Sequence, residues 1–146
     1  MLSKITYKYS PNFNNYKRNK SDIKFLIIHY TGMRKEKDAI ERLINIQSEV
    51  SSHYFIKYDG KIIQLIPDLY TAWHAGKSAW GKKKLLNDFS IGIEISNTGH
   101  NYGYKNYKKK QITALIKLLQ NLKKKYKIKS ENILGHSDIA PVRKKD

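Results

Sequence analysis

The chain has 146 residues, of which 40% are hydrophobic, and it contains no cysteine. This length suits one domain with a single core, and the lack of cysteine excludes disulfides and thiolate metal sites, so any metal must be held by nitrogen and oxygen. No apolar run approaches the roughly 18 residues of a membrane span, and the N-terminus has no apolar segment of signal-peptide length. We therefore expect a monomer without a membrane span, cytoplasmic by default, and periplasmic or cell-wall-associated if it is exported or has lost a leader.

The formal net charge is +17, from 29 Lys and Arg against 12 Asp and Glu. Such a charge speeds encounter with polyanions, which include nucleic acid, anionic membranes and acidic cell-wall polymers. The charge also fits a general bias in amino-acid usage with no functional meaning, because lysine far outnumbers arginine and Asn and Ile are abundant. Proteins that read nucleic acid rely on arginine for bidentate base contacts, and only four arginines occur here. No nucleic-acid partner is expected.

Residues 1–22 are polar and non-periodic, which predicts an extended arm on the surface of a domain that covers residues 23–146. Aromatic residues are expected to hold this arm in place, namely Tyr7, Tyr9, Phe13 and Tyr16. The apolar run 25–30 predicts a buried central strand. His29 near its end is by default a core or rim side chain, with a metal ligand as the alternative.

Residues 34–49 predict an amphipathic helix, since apolar residues recur on one side. Residues 53–58 and 61–66 alternate around Asp59-Gly60, a strong indicator of a hairpin. Residues 70–88 predict a long loop in which Trp73, His74 and Trp80 either line a ligand groove or anchor the loop to the core.

The segment 90–96 predicts a strand with isoleucines on its core face and Glu94 among small residues on the other face. A carboxylate is costly there unless it is paired or useful. Residues 107–127 predict a second helix, and 131–134 a short strand that leads to His136. The sequence therefore predicts an α/β fold, a mixed central β-sheet flanked by amphipathic helices.

His29, His136 and Asp146 make a plausible metal-ligand set, because catalytic zinc typically has three protein ligands and one open position. A turn at Pro141 would let the segment 136–146 place both of its ends on one ion. His53 and His74 are rival ligands by residue type. We favour sheet packing or support of the site for His53, with substrate contact as its other role, and substrate contact for His74.

Five collinear motifs match a known family from about residue 24 to the end of the chain. They are residues 27–31 (IIHYT), 50–60 (VSSHYFIKYDG), 72–76 (AWHAG), 87–94 (NDFSIGIE) and 135–146 (GHSDIAPVRKKD). With these motifs the chain resembles the zinc-dependent N-acetylmuramoyl-L-alanine amidases of the AmpD/AmiD type, which are related to phage lysozyme amidases and peptidoglycan recognition proteins.

The resemblance implies zinc held by His29, His136 and Asp146, with Glu94 and Lys144 at the family's catalytic positions. It implies hydrolysis of the amide between N-acetylmuramic acid, or its 1,6-anhydro form, and L-alanine of the peptidoglycan stem peptide. Trp73, His74, Trp80 and His53 are then the expected substrate-binding residues. Family members normally continue Asp-Pro-Gly at their last zinc ligand, whereas this chain stops at Asp146, so we expect a truncated C-terminus.

The sequence is also compatible with three other functions. The first is a module that binds peptidoglycan or muropeptide without cutting it. The second is a nucleic-acid-binding protein driven by charge, and the third is another zinc hydrolase such as a peptidase or deacetylase.

Overall fold

A computed structural model, which describes Leu2 and residues 4–146, contains a six-stranded mixed sheet with helices packed against it. This confirms the predicted α/β class. The strands and helices in chain order are β1 (Ile5–Tyr7), β2 (Phe13–Lys17), β3 (Phe25–Tyr30), α1 (Glu36–Ile44), β4 (Tyr54–Ile56), β5 (Ile62–Gln64), β6 (Tyr70–Ala72), β7 (Ala79–Trp80), β8 (Lys83–Lys84), β9 (Ser90–Ile95), α2 (Lys109–Tyr126), β10 (Ile133–Gly135) and α3 (His136–Ile139).

The six-stranded sheet has the order β1-β5-β4-β9-β3-β10. Strand β9 pairs in parallel with β4 and β3, and β3 pairs in parallel with β10. Strands β4 and β5 are antiparallel, which confirms the hairpin predicted at Asp59-Gly60. The structure also contains two small antiparallel sheets, β2-β6 and β7-β8. Four neighbouring strands therefore run in one direction and end at one edge.

The two faces of the sheet carry different residues, because side chains alternate along a strand. One face packs on α2, and its contacts include Leu26, Ile91, Ile93, Leu118 and Leu122. This confirms the predicted core face of β9 and the apolar side of the second helix. The opposite face holds two smaller apolar clusters, one around Ile27 and one around Phe55. His29 and Glu94 lie on this second face.

The described part of residues 1–22 forms two strands that join sheets, a pairing that the prediction of a surface arm did not include. Met1 and Ser3 lie outside the described residues, but β1 extends the main sheet beside β5 and β2 pairs with β6. The expected aromatic anchors Tyr7, Tyr9 and Tyr16 are more than half exposed. The fourth, Phe13, is half-buried and packs edge-on against Tyr70, with ring centroids 5.2 Å apart. Buried polar groups also hold the segment. The Asn12 amide donates to two backbone carbonyls, and the Arg18 guanidinium donates to two others.

Two further boundaries differ from the prediction. Helix α1 ends at Ile44 because the Asn45 side chain accepts from the Gln47 amide and starts a separate 3-10 turn. The predicted loop 70–88 contains β6, the β7-β8 hairpin and a 3-10 turn at Leu86–Phe89. Among the described residues, no helix is long and apolar enough to cross a bilayer.

Candidate active site

The predicted reactive residues lie at one edge of the sheet, where strands β3, β9 and β10 end. His29 in β3 pairs directly with Glu94 in β9. Gly135 in β10 lies opposite Ile28, so His136, the next residue, is positioned beside His29. The parallel register therefore brings together side chains that are far apart in sequence.

His29, His136 and Asp146 form a group of potential metal ligands whose donor atoms all lie within 4.8 Å of one another. The Nδ1 atoms of the two histidines are 2.9 Å apart. Oδ2 of Asp146 lies 3.5 Å from Nδ1 of His29 and 3.4 Å from Nδ1 of His136. Bonds of about 2.0–2.2 Å in a tetrahedral site separate donor atoms by roughly 3.3–3.6 Å. The two distances to Asp146 fall in this range, and the distance between the two Nδ1 atoms is about 0.4 Å shorter than its lower end. After a slight separation of the imidazoles the three residues fit one small divalent cation and leave a fourth position open.

Asp146 reaches the histidines because the segment after β10 folds back on itself. The amide of Lys144 donates to the Ala140 carbonyl at 2.9 Å, which closes a turn around Pro141. The Ser137 amide donates to the backbone carbonyl of Asp146. The sequence predicted the turn at Pro141 but not the short helix α3 that precedes it.

The protonation of these ligands suits a cation. Burial lowers the pKa of His29 from 6.5 to about 4, so the imidazole is neutral at pH 7. Nε2 of His136 donates to the Ala75 carbonyl at 3.0 Å, which turns its Nδ1 towards His29 and Asp146. Burial acts to raise the pKa of Asp146, but the contacts with His136 and His29 hold it well below its usual value. Neutral imidazoles and an ionised carboxylate are the forms that bind metal.

Glu94 lies in the same cavity as the three potential ligands. Its Oε2 atom is buried and has no hydrogen-bond partner among the residues that the structure describes. Burial, assisted by the charge of Asp146, raises the pKa of Glu94 to about 8, against the opposing effect of Lys144 and Arg42. Such an unpaired buried carboxyl group is costly, and it offers an acceptor to a water or substrate in the cavity.

Lys144 and Arg42 are the two cationic side chains among the described residues that line this cavity. Lys144 was predicted as a catalytic residue. Arg42 was not, because the helical pattern assigned it to the polar side of α1. It lies three residues after the buried Ala39 and one before the buried Leu43, hence at the border of the apolar face, and this spacing could have indicated its position.

The predicted substrate-binding tryptophans occupy different environments. Trp73 lines the cavity, and its indole N–H donates to Oδ1 of Asn14 at 2.8 Å. Trp80 lies in β7, is 38% exposed and is not part of the cavity lining. Substrate contact by either residue stays a prediction.

The two remaining predicted substrate contacts are histidines on the same face of the sheet. His74 lines the cavity. His53 is fully buried, with Nδ1 accepting from the Gly92 amide at 3.0 Å and Nε2 donating to the Tyr70 carbonyl at 2.8 Å. Burial lowers the pKa of His53 to about 3. These bonds correspond to the sheet-packing role considered for His53.

Comparison with known proteins gives concordant matches. Residues 19–146 match the family Amidase_2, described as N-acetylmuramoyl-L-alanine amidase. N-acetylmuramoyl-L-alanine amidase AmiD of Escherichia coli is 42% identical over 137 residues, covering 85% of this chain and 48% of AmiD. The 1,6-anhydro-N-acetylmuramyl-L-alanine amidase AmpD of Enterobacter cloacae is 40% identical over 97 residues, covering 66% of this chain and 50% of AmpD. The chain thus spans about half the length of these curated relatives.

A solved structure extends the likeness to the fold. The complex of AmiD from E. coli with the substrate anhydro-N-acetylmuramic acid-L-Ala-D-γ-Glu-L-Lys matches with a TM-score of 0.78 and 40% identity. The match covers 86% of this chain and 52% of the AmiD chain.

Proposed function

Because the chain belongs to the Amidase_2 family of N-acetylmuramoyl-L-alanine amidases, we propose that it hydrolyses the amide bond between N-acetylmuramic acid and L-alanine of the stem peptide. The muramic acid is intact or in its 1,6-anhydro form. We propose zinc as the cofactor, with His29, His136 and Asp146 as its ligands. A donor set of two imidazoles and one carboxylate, without sulfur, suits zinc.

One observation carries this proposal. Three donor atoms from distant parts of the chain lie within 4.8 Å of one another, beside a buried carboxyl group whose Oε2 has no partner among the described residues. The first feature supports a cation site with an open position. The second supports an acid–base residue next to that position, since catalytic carboxyl groups often have a pKa raised towards neutrality.

When bound, zinc acts as a Lewis acid that brings the pKa of a water molecule close to neutrality and favours the ionised form of a nearby carboxyl group. Glu94 accepts the proton of the attacking water and passes it to the leaving amine of L-alanine. Lys144 donates a charged hydrogen bond to the lactyl carbonyl oxygen as negative charge develops there, an interaction worth about 3–4 kcal/mol in comparable sites. Trp73 forms part of the wall that holds the sugar or peptide.

Two observations support a muropeptide or peptidoglycan substrate. AmiD, which is similar to this chain, has been solved with a substrate that joins anhydro-N-acetylmuramic acid to a short peptide. The net charge of +17 favours the approach of stem peptides, which carry free carboxylates. We also propose a monomer, located in the cytoplasm unless exported, which size-exclusion chromatography and cell fractionation test.

The decisive experiment is mass spectrometry of muropeptide digests. Wild type is compared with Glu94→Ala and Lys144→Ala, and zinc content is measured in all three proteins. We expect wild type to release free stem peptide beginning with L-alanine, and both variants to lose cleavage while they retain zinc. A wild-type protein that binds muropeptide without releasing peptide would support the binding module instead. Full activity in Glu94→Ala would remove this residue from the mechanism.

A further inference from the structure

A line of hydrogen bonds leads away from the metal-ligand group into the protein. Nε2 of His29 lies 3.0 Å from Nδ1 of His74. Nε2 of His74 lies 3.0 Å from Oγ of Ser90, and this hydroxyl lies 2.6 Å from the backbone carbonyl of Leu86. Both ring nitrogens of His74 are therefore occupied by protein groups, although the sequence predicted a substrate contact for this residue.

Elementary hydrogen-bond chemistry determines which atom donates and which accepts in each of these contacts. A carbonyl oxygen only accepts, so Ser90 donates its single O–H to Leu86 and must accept from Nε2–H of His74. A neutral imidazole has one donor and one acceptor nitrogen, so Nδ1 of His74 is an acceptor. It then takes the proton on Nε2 of His29. This leaves the lone pair of the His29 Nδ1 atom directed at His136 and Asp146.

From this geometry we propose that His74 and Ser90 are positioning residues that hold His29 in the tautomer and ring orientation required for metal binding. The proposal rests on the metal site put forward as part of the function. His136 is oriented in a simpler way, by a direct bond to the Ala75 carbonyl. The two histidine ligands are thus supported differently, one by the backbone and the other through a second histidine.

The surroundings of His74 are built to keep its ring in place. The backbone amides of His74 and Ala75 both donate to Oδ1 of Asn87, at 3.1 and 2.7 Å. The ring lies over Gly92, where a Cβ atom would come within 2.4 Å of Cγ of His74. Glycine is therefore required at position 92 by contact with the imidazole, in a strand where its missing side chain otherwise weakens packing.

Loss of such supporting groups typically weakens metal binding by about 10–100-fold. We expect His74→Leu to raise the dissociation constant for Zn²⁺ within this range, as measured by competition with a chelating dye. His74→Asn should stay within about threefold of wild type, since its amide oxygen can replace Nδ1 as the acceptor. Ser90→Ala should weaken binding by about 3–10-fold, because no hydroxyl then keeps the ring proton of His74 on Nε2.

Ser52→Ala is the matched control for Ser90→Ala. Both hydroxyls are fully buried and donate to a backbone carbonyl, but Ser52 bonds to Tyr54 and not to a histidine. Its zinc affinity should equal that of wild type. Equal zinc affinity in His74→Leu and wild type, or equal losses in Ser90→Ala and Ser52→Ala, would overturn the proposal.

A second measurement uses the wild-type protein alone, so it does not depend on the folding of any variant. Imidazole ¹⁵N shifts of the zinc-loaded wild type should place the ring proton of His74 on Nε2, the nitrogen that faces Ser90. A His74 proton on Nδ1 would overturn the proposal. Neither readout depends on turnover, so the tautomer and affinity results can succeed even if muropeptide cleavage, the test of the proposed function, fails.

Discussion

Replacing Glu94 by glutamine tests the catalytic and the electrostatic arguments together, because an amide copies the shape of a protonated carboxyl group. In the metal-free protein the pKa of Glu94 is about 8, raised by burial from 4.5. The folded protein at pH 7 therefore holds a proton that the unfolded chain has released. Over the roughly 2.5 pH units between 4.5 and 7, at about 1.4 kcal/mol per unit, burial of this group destabilises the fold by about 3 kcal/mol.

The sign of the effect follows from the raised pKa. The folded-state advantage of protonated Glu94 is complete below pH 4.5 and is lost as the pH rises through 8. Glutamine has no proton to lose, so metal-free Glu94→Gln should be more stable than wild type at pH 7 by up to about 3 kcal/mol, with the gain vanishing near pH 4.5. Turnover of muropeptide should fall by about 10²–10⁴-fold, the usual contribution of an acid–base residue.

The assay combines urea unfolding of metal-free protein at pH 5 and pH 8 with rates of muropeptide hydrolysis by the zinc-loaded protein. Glu131→Gln, at an exposed glutamate, is the matched control and should leave both quantities unchanged. Wild-type turnover in Glu94→Gln would refute the role of Glu94 as proton acceptor. A stability difference that is the same at both pH values would refute the electrostatic reasoning.

Three further predictions address other parts of the site. Lys144→Met should lower kcat by about 10²–10³-fold, whereas Lys145→Met, at an exposed neighbour, should not; equal losses would exclude a specific role. Zinc at 100 times its dissociation constant should raise the free energy of unfolding by about 2.7 kcal/mol, measured by urea titration, and a similar gain in Asp146→Ala would contradict its role as a ligand. Burial lowers the pKa of His53 to about 3. As the pH is lowered below 6.5, only the unfolded chain takes up this proton, so the free energy of unfolding decreases. His53→Gln should reduce the loss between pH 6.5 and 5 by about 2 kcal/mol, and an unchanged pH slope in urea unfolding would contradict this.

Strong local patterns predicted the framework. The apolar run of β3, the alternation of β9, the Asp59-Gly60 turn and the helical spacing of α2 each agree with the structure. These segments are buried on one or both sides, so their residues must follow the period of the backbone. Residue type and the turn at Pro141 made His29, His136 and Asp146 a plausible ligand set, and the family resemblance then implied that they meet, since no spacing in the sequence encodes the register of β3 with β10.

Other features were not predictable because they depend on weak or long-range contacts. Strand β1 is an edge strand with two exposed residues out of three, so it shows no apolar pattern. The two-residue strands β7 and β8 are too short to have a period. The contacts of His74 with His29 and Ser90 join residues 45 and 16 positions away. An isolated histidine in a loop gives no indication of such partners.

The pairing of β10 with β3 determines when the group of potential metal ligands can assemble during synthesis. His29 and His136 are 107 residues apart, and at about 5–20 residues per second a ribosome needs roughly 5–20 s to make that interval. Until β10 has been made, β9 is the one partner that β3 can have in the main sheet, so the other edge of β3 stays unpaired. A nascent chain that ends before residue 146 therefore lacks at least one of the three potential ligands, and the candidate metal site assembles only after the segment that follows β10 has emerged.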